Sequence, residues 1–341
     1  MSAQHLPLPT LSARRARRAL LGATVTLVTA ASLGAPAAVL AQSNYPDKPV
    51  KLTIPFPPGG SNDNLGRALA QALAVRPKQP FVVENKGGAG AIIGTDFVAK
   101  SAPDGYNLLF ISSSVSTNAA SGKKMPFDTF KDLEPIARIG SGPLVMVAAN
   151  KLNIKTWGEW VEYAKKNPGK VNYGTAGVGT LQHLATELIN ITAGINVTHV
   201  PYKGGGPAFT DIMGGNLQVL LASLNAALPH IKGNTMRALA VTSGKRSPLA
   251  PEIPTLDEAG LKGFALDLWW SMFGPAGMPK AVVTKLNDNI AAIVAEPQMT
   301  ELLAREGASN VVSKPEELAT LLKADTLRWA KVIKEANIPT D

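Results

Sequence analysis

The 341-residue chain contains no cysteine. That absence removes structural disulfides, thiol nucleophiles, zinc–thiolate sites and iron–sulfur clusters together. Aromatic residues are scarce, at 6%, and no basic stripe is interleaved with them. A stacking platform for single-stranded nucleic acid is therefore not expected. Nucleotide fingerprints are missing too: G-x-x-x-x-G-K-S/T does not occur, and Gly88–Gly94 spaces its glycines as G-x-G-x-x-x-G instead of G-x-G-x-x-G. The hydrolase elbow G-x-S-x-G is absent, since Ser61 has Gly59 two residues before it but Asp63 two after. H-E-x-x-H is absent as well. What is present is globular: 45% hydrophobic residues, with 31 glycines and 26 prolines that follow no period and so exclude a collagen-like chain. The length suits two domains or one large one.

A net charge of +9 invites a nucleic-acid reading, but part of it sits in one place. Arg14, Arg15, Arg17 and Arg18 form a basic cluster, residues 1–41 carry no acid, and an apolar stretch runs from Ala19 to Leu40. It closes on Val39-Leu40-Ala41, which reads as a cleavage site after Ala41. Residues 1–41 are therefore an expected export signal. The order Arg17-Arg18-Ala19-Leu20-Leu21 also suits the twin-arginine route, and both routes stay open. The remaining chain keeps 30 basic against 25 acidic residues. Basic pairs such as Lys123-Lys124, Lys165-Lys166 and Lys245-Arg246 are scattered along it and read as solvated surface. No nucleic-acid partner is expected.

One pattern recurs in residues 42–341: an apolar run, a glycine-rich loop, then a helical period. It appears as Val50–Phe56, Pro57–Gly60 and a helix over 62–74. It returns at 81–100, at 171–191 and at 197–213. Further strands are expected at 108–111, 144–148, 219–222 and 238–242, and amphipathic helices at 280–294 and 315–336. Alternating strands and helices predict an α/β fold with largely parallel sheets. Two sheets suit this length, with chain crossings at 140–145 and 265–271. This gives one lobe from 42–141 plus 267–341 and a second from 142–266.

In such folds ligands sit beyond the carboxyl ends of strands, where loops open onto helix N-termini. Glycine lets backbone approach a ligand closely, and the first helical turn leaves N–H groups unpaired with partial positive charge. Four such loops converging would make an anion site without arginine. Tight strand–helix turns alone account for any single one of them. Lys203, heading the loop Gly204–Gly206, is the base best placed to meet an anion, with a solvated rim lysine the plain alternative. His183 lies in the first turn of an expected helix beside the loop 174–180, whereas His199 and His230 read as structural. A hydrolase pairing Ser61 with His183, and Asp63 behind them, competes with simple capping roles.

Read in order, the loops resemble the tripartite tricarboxylate transporter substrate-binding family, the Bug receptors. The resemblance rests on PFPPGGSND at 55–63, VVENKGGAG at 82–90, APDGYNLL at 102–109 and NYGTAGVGTLQHLA at 172–185, and it continues through HVPYKGGGPAFTDIMGG at 199–215 and FGPAGMP at 273–279. It implies a periplasmic, two-lobed Venus flytrap of the type II binding-protein kind, each lobe a mostly parallel sheet flanked by helices. It further implies a monomer without cofactor, metal or catalysis, which binds a small carboxylate and delivers it to membrane permease subunits. A sensor that binds without transport is the neighbouring possibility.

The family's two ligand loops correspond to Phe56–Asp63 and Thr175–His183. One carboxylate would dock around Pro58, Gly59, Gly60 and Ser61 and around Gly177, Gly179 and Thr180, partly through water. Ser61, Thr180 and Ser113 would offer hydroxyls, and Asp63 would orient the first helix turn or receive an amino group. Ala89 and Gly90 form a third loop. Selecting side chains are expected on 112–118, 202–206 and 223–226, Lys203 and Asn225 among them. Departures from the family pattern include Asn118-Ala119 for Asn-Pro and Ala91 where glycine is common.

Overall fold

A computed structural model describes residues 45–59, 61–175, 177–202, 205–305 and 307–338. The expected export signal lies outside the described residues. From Lys48 onward the chain packs as one unit built on a hydrogen-bonded path of strands. In chain order these are β1 (Val50–Ile54), β2 (Phe81–Asn85), β3 (Asn107–Ser112), β4 (Leu133–Ala149), β5 (Asn172–Thr175), β6 (Thr198–Pro201), β7 (Val219–Ser223), β8 (Met236–Val241), β9 (Asp267–Pro275) and β10 (Ser309–Asn310). The path runs β2-β1-β3-β9-β4-β7-β5-β6, and β8 and β10 each pair with β4.

The outer pairs are parallel: β1 with β2 and β3, and β5 with β6 and β7. The centre is antiparallel, because β4 and β9 run against their neighbours. Expected parallel pairing thus describes the flanks, and two long return strands make the centre mixed. Strand β4 changes partners once. Leu133–Pro143 pairs with β9, and Leu144–Ala149 pairs with β7 and β8. The return occurs beside it, where Leu266 donates its N–H to the Thr242 carbonyl at 2.9 Å before β9 begins at Asp267. Residues 133–142 carry Glu, Pro, Arg and Gly, so their composition reads as loop, and their strand exists through pairing with β9.

Helices α1 (Ser61–Val75), α2 (Ile92–Ala99), α3 (Ser114–Ala120), α4 (Trp157–Lys166), α5 (Leu181–Ala193), α6 (Gly205–Gly214), α7 (Leu224–Lys232), α8 (Lys280–Val294), α9 (Pro297–Arg305) and α10 (Pro315–Glu335) cover the sheet faces. Alternation along β4 shows why both faces are buried. Leu144, Met146 and Ala148 join a core with Trp160, Tyr173 and Leu184, whereas Val145 and Val147 join one with Ile212, Leu220 and Ala227. Helix α10 reaches two cores: Leu318 and Leu322 pack with Ile111 and Phe273, and Trp329 and Val332 pack with Trp160 and Tyr173. At 21 residues it spans about 30 Å, long enough to serve both.

Candidate functional site

The carboxyl ends of β1, β3, β5 and β7 open toward one cavity of about 630 Å³. Phe56, Ser61 and Asn62 enter it from the β1–α1 turn, and Ala89, Gly90 and Ile92 from the turn before α2. Ser112, Ser113, Ser114, Thr117 and Asn118 come from the end of β3 and from α3, and Val178, Gly179, Thr180, Leu181 and Gln182 from the β5–α5 turn. Ser223, Leu268 and Trp270 complete the inner wall, and Ser121 and Lys123 lie beyond α3. Among the described lining residues Lys123 alone carries a charge. The wall is therefore hydroxyl-rich and nearly neutral.

Each turn is held by bonds that the sequence does not announce. Asp63, buried in the first turn of α1, accepts from the Gly59 N–H at 3.0 Å, from Arg67 Nε at 3.0 Å and from Asn85 Nδ2 at 2.8 Å. Asn85 Nδ2 also donates to the Phe56 carbonyl at 3.0 Å, which ties the turn to the end of β2. The Arg67 hydrogen bond leads the effects that hold the Asp63 carboxyl down at about 2. Its oxygens are occupied within the turn, so of the two roles expected for Asp63 the geometry provides the orienting one.

In the facing turn Thr180 caps α5, accepting from the His183 N–H at 3.4 Å and donating its hydroxyl to the Gly177 carbonyl at 2.8 Å. His183 Nδ1 accepts from the Gly179 N–H at 3.1 Å, which places the proton of a neutral ring on Nε2. Burial, reinforced by His199, lowers the His183 pKa to about 4. Thr175 Oγ1 lies 3.1 Å from the Gly177 carbonyl oxygen and 2.6 Å from His199 Nε2. A hydroxyl has a single proton, so the His199 tautomer sets whether Thr175 donates to that ring or to the Gly177 carbonyl. Leu181 and Gln182 line the cavity at the first turn of α5, where a helix leaves N–H groups without intrahelical partners.

The third turn is strained. Ala89 and Ala91 adopt φ of 47° and 82°, in the left-handed region that disfavours a Cβ, and Gly90 lies between them at 64°. Asn118 Nδ2 donates to the Gly90 carbonyl at 2.7 Å and pins it. The alanine that departs from the family's usual glycine thus occupies a conformation glycine would adopt freely.

Of the expected site residues, Phe56, Ser61, Ala89, Gly90, Ser113, Gly179 and Thr180 line the cavity together. Pro58, Gly59, Asp63, Thr175, Gly177, His183 and Asn225 are not among the lining residues. Gly59, Asp63, Thr175, Gly177 and His183 stand behind it in the bonds just described, and Asn225 Nδ2 reaches Ser61 Oγ at 3.5 Å. Gly60 and Lys203 lie outside the described residues. The bonds made by Ser61 and His183 run to Asn225 and Gly179, not to each other. Asn62 lies in the expected loop Phe56–Asp63, whereas Leu268, Trp270 and Lys123 stand outside the expected site. Trp270 reaches the cavity through sheet pairing and carried no local signal. His199, expected to be structural, stacks on His183.

Strand-end turns from two halves of one sheet path, facing each other across a neutral cleft, define a two-lobed α/β solute receptor of the periplasmic binding-protein class. Residues 65–338 match the family model for the tripartite tricarboxylate transporter family receptor. Protein BugT of Bordetella pertussis is 36% identical over 301 residues, covering 88% of this chain and 92% of that protein. The Rhodopseudomonas palustris protein Rpa4515, solved with adipate, superposes with a TM-score of 0.77 at 32% identity, covering 86% of this chain and 99% of that one. MatC from the same organism, solved with bound malate, gives 0.73 at 27% identity, covering 85% and 100%. The chain belongs to the tripartite tricarboxylate transporter receptor family, a family of solute-binding receptors.

Proposed function

We propose that this protein is a periplasmic receptor that binds a small carboxylate in the described cleft and hands it to the membrane subunits of a tripartite tricarboxylate-type transporter. One observation carries the reading: the first turns of α1 and α5 enter the same cavity, each with a hydroxyl, Ser61 or Thr180, at its head. Helix N-termini favour negative charge and supply N–H donors, so a carboxylate binds there without a cationic side chain. With Lys123 the one charged residue among the described lining residues, the wall favours the helix N-termini over a basic clamp as the anchor. Adipate and malate in the two structural relatives are both carboxylates, in keeping with this chemistry.

Two lobes, 42–141 with 267–341 and 142–266, would close on the ligand about the points where β4 changes partners and where β9 begins. The switch at Pro143/Leu144 supports these boundaries. The second half of α10 packs on the core of 142–266, so closure would have to keep or slide that contact. Export with cleavage after Ala41 would deliver the mature chain to the periplasm. Among the described residues no helix is long and apolar enough to cross a membrane.

Calorimetry of the mature protein against mono-, di- and tricarboxylates and neutral sugars tests the reading. At least one acid should bind with micromolar or tighter affinity. Binding of neutral sugars with no response to any acid would overturn it.

A further inference from the structure

Trp269 and Trp270 are neighbours in β9 and are both 2% exposed, yet their indole N–H groups have opposite fates. Successive strand residues face opposite sides of a sheet. Trp269 Nε1 donates to Asp325 of α10 at 2.7 Å. Trp270 lines the cavity, and its buried Nε1 has no partner in the protein. The strand register sets Trp270 opposite Ser112, and the Ser113 N–H bonds the Trp269 carbonyl at 2.8 Å, so the end of β3 and this part of β9 form one patch of wall. Ser113 is fully buried, also lines the cavity, and its Oγ likewise has no protein partner. Buried polar atoms are almost always paired, and these two orphans on one patch of wall, with Asn62 Oδ1 a third elsewhere on the lining, point to polar groups that arrive with the ligand.

We propose that Trp270 Nε1–H and Ser113 Oγ–H form a specificity site that receives a second acceptor group of the ligand, the far carboxylate of a dicarboxylic acid. This rests on the carboxylate reading above. Indole N–H is a donor only, so the group it meets must be an acceptor, and a ligand amine or methyl at that point is disfavoured. Lys123, on the same cavity, favours a charged acceptor over a neutral one. A monocarboxylate with an alkyl tail would leave both already buried donors unpaired and so gain less on binding than a diacid that pairs them.

The test is calorimetry with four- to six-carbon α,ω-dicarboxylates and the monocarboxylates of equal length, on the wild type, Trp270→Phe, Ser113→Ala and Trp269→Phe. The wild type should prefer a diacid to its monoacid. Trp270→Phe should lose roughly tenfold or more for the diacid and little for the monoacid, with Ser113→Ala following in the same direction. The melting temperature of Trp270→Phe should fall only by the lost ring packing, less than that of Trp269→Phe, since its lost N–H had no protein partner. Trp269→Phe is the opposite control: lower melting temperature, unchanged preference for the diacid. Equal weakening of diacid and monoacid, or no change in Trp270→Phe and Ser113→Ala, overturns the proposal and leaves the carboxylate receptor standing. Failure of the wild type to bind any acid overturns both. If Trp270→Phe does not fold, the ratio in Ser113→Ala decides.

Discussion

The imidazole rings of His183 and His199 stack with their centroids 3.8 Å apart and their planes 14° from parallel. Tyr173 stacks on His199 at 4.9 Å, and its hydroxyl donates to Glu187. The stack joins the first turn of α5 to β5 and β6 directly behind the cavity wall. Through the Gly179 N–H on His183 Nδ1, a proton on that ring would displace a residue that lines the cleft.

Stability should fall in mild acid on account of this pair. Burial lowers both histidines to about 4, below the usual value of 6.5. Between those values the unfolded chain binds protons that the folded chain does not, so stability is complete above pH 6.5 and declines as the pH drops toward 4. The expected outcome is a melting temperature that falls over this window in the wild type and falls less in His199→Phe, which keeps a ring but cannot titrate. Burial raises the Glu187 pKa, which acts in the opposite sense, and comparing the two proteins removes it. Parallel curves would sink the assignment.

Asp63 should govern the shape of the first ligand turn. Asp63→Ala frees the Gly59 N–H, Arg67 and Asn85 Nδ2 together, and is expected to cost about 2–3 kcal/mol in urea denaturation, as for hydrogen bonds to a charged group. Asp63→Asn keeps acceptor capacity and should lose less. Because the carboxyl is held at about 2, its contribution is present above pH 4 and is lost as pH falls through 2. Both variants should also weaken ligand binding. An Asp63→Ala protein with wild-type stability and affinity would contradict the bonding described.

Thr180 caps the facing helix. Replacing it with alanine should destabilise by about 1 kcal/mol, the usual value for a lost cap, and should raise the dissociation constant for the bound acid. Thr180→Ser should restore most of both. Rescue of stability without affinity would show that the methyl group, not the hydroxyl, serves the ligand.

Gly94 lets α2 seat against the chain that leaves β1. A Cβ there would stand 2.7 Å from the Lys86 carbonyl oxygen and 2.8 Å from Pro55 Cβ, and backbone cannot yield as a flexible side chain does. Gly94→Ala is expected to cost about 1–3 kcal/mol by overpacking, read by thermal or chemical unfolding. An unchanged midpoint would mean that α2 shifts freely, and with it the Ala89–Gly90 part of the wall.

The repeating strand, glycine loop and helix are local signals, and the observed elements follow them closely. Helix α8 spans Lys280–Val294 as its apolar period predicts, and α1 and α5 begin at or next to Ser61 and Thr180. Described residues of two glycine loops, Ala89–Gly90 and Val178–Gly179, and the flanks of a third, Phe56 and Ser61, line the cavity for the same reason: a strand that ends and a helix that starts must place that turn at the sheet's edge. Residues 133–142 were unreadable as strand, since their pairing with β9 joins segments more than a hundred positions apart.

Chain chemistry alone settled the α/β class and the strand-to-helix turns, because each depends on residues within a few positions of one another, and the absence of cysteine settled the lack of thiol chemistry. Which side chains form the rest of the wall was decided only by folding. Trp270 faces the cleft and Trp269 faces Asp325 because β9 pairs with β3 in one register, and a shift of one residue would exchange them. Likewise His199 becomes part of the cleft's support only when β6 lies beside β5. Neither fact is encoded within a window of neighbouring residues, since both arise from which strands pair and at which residue.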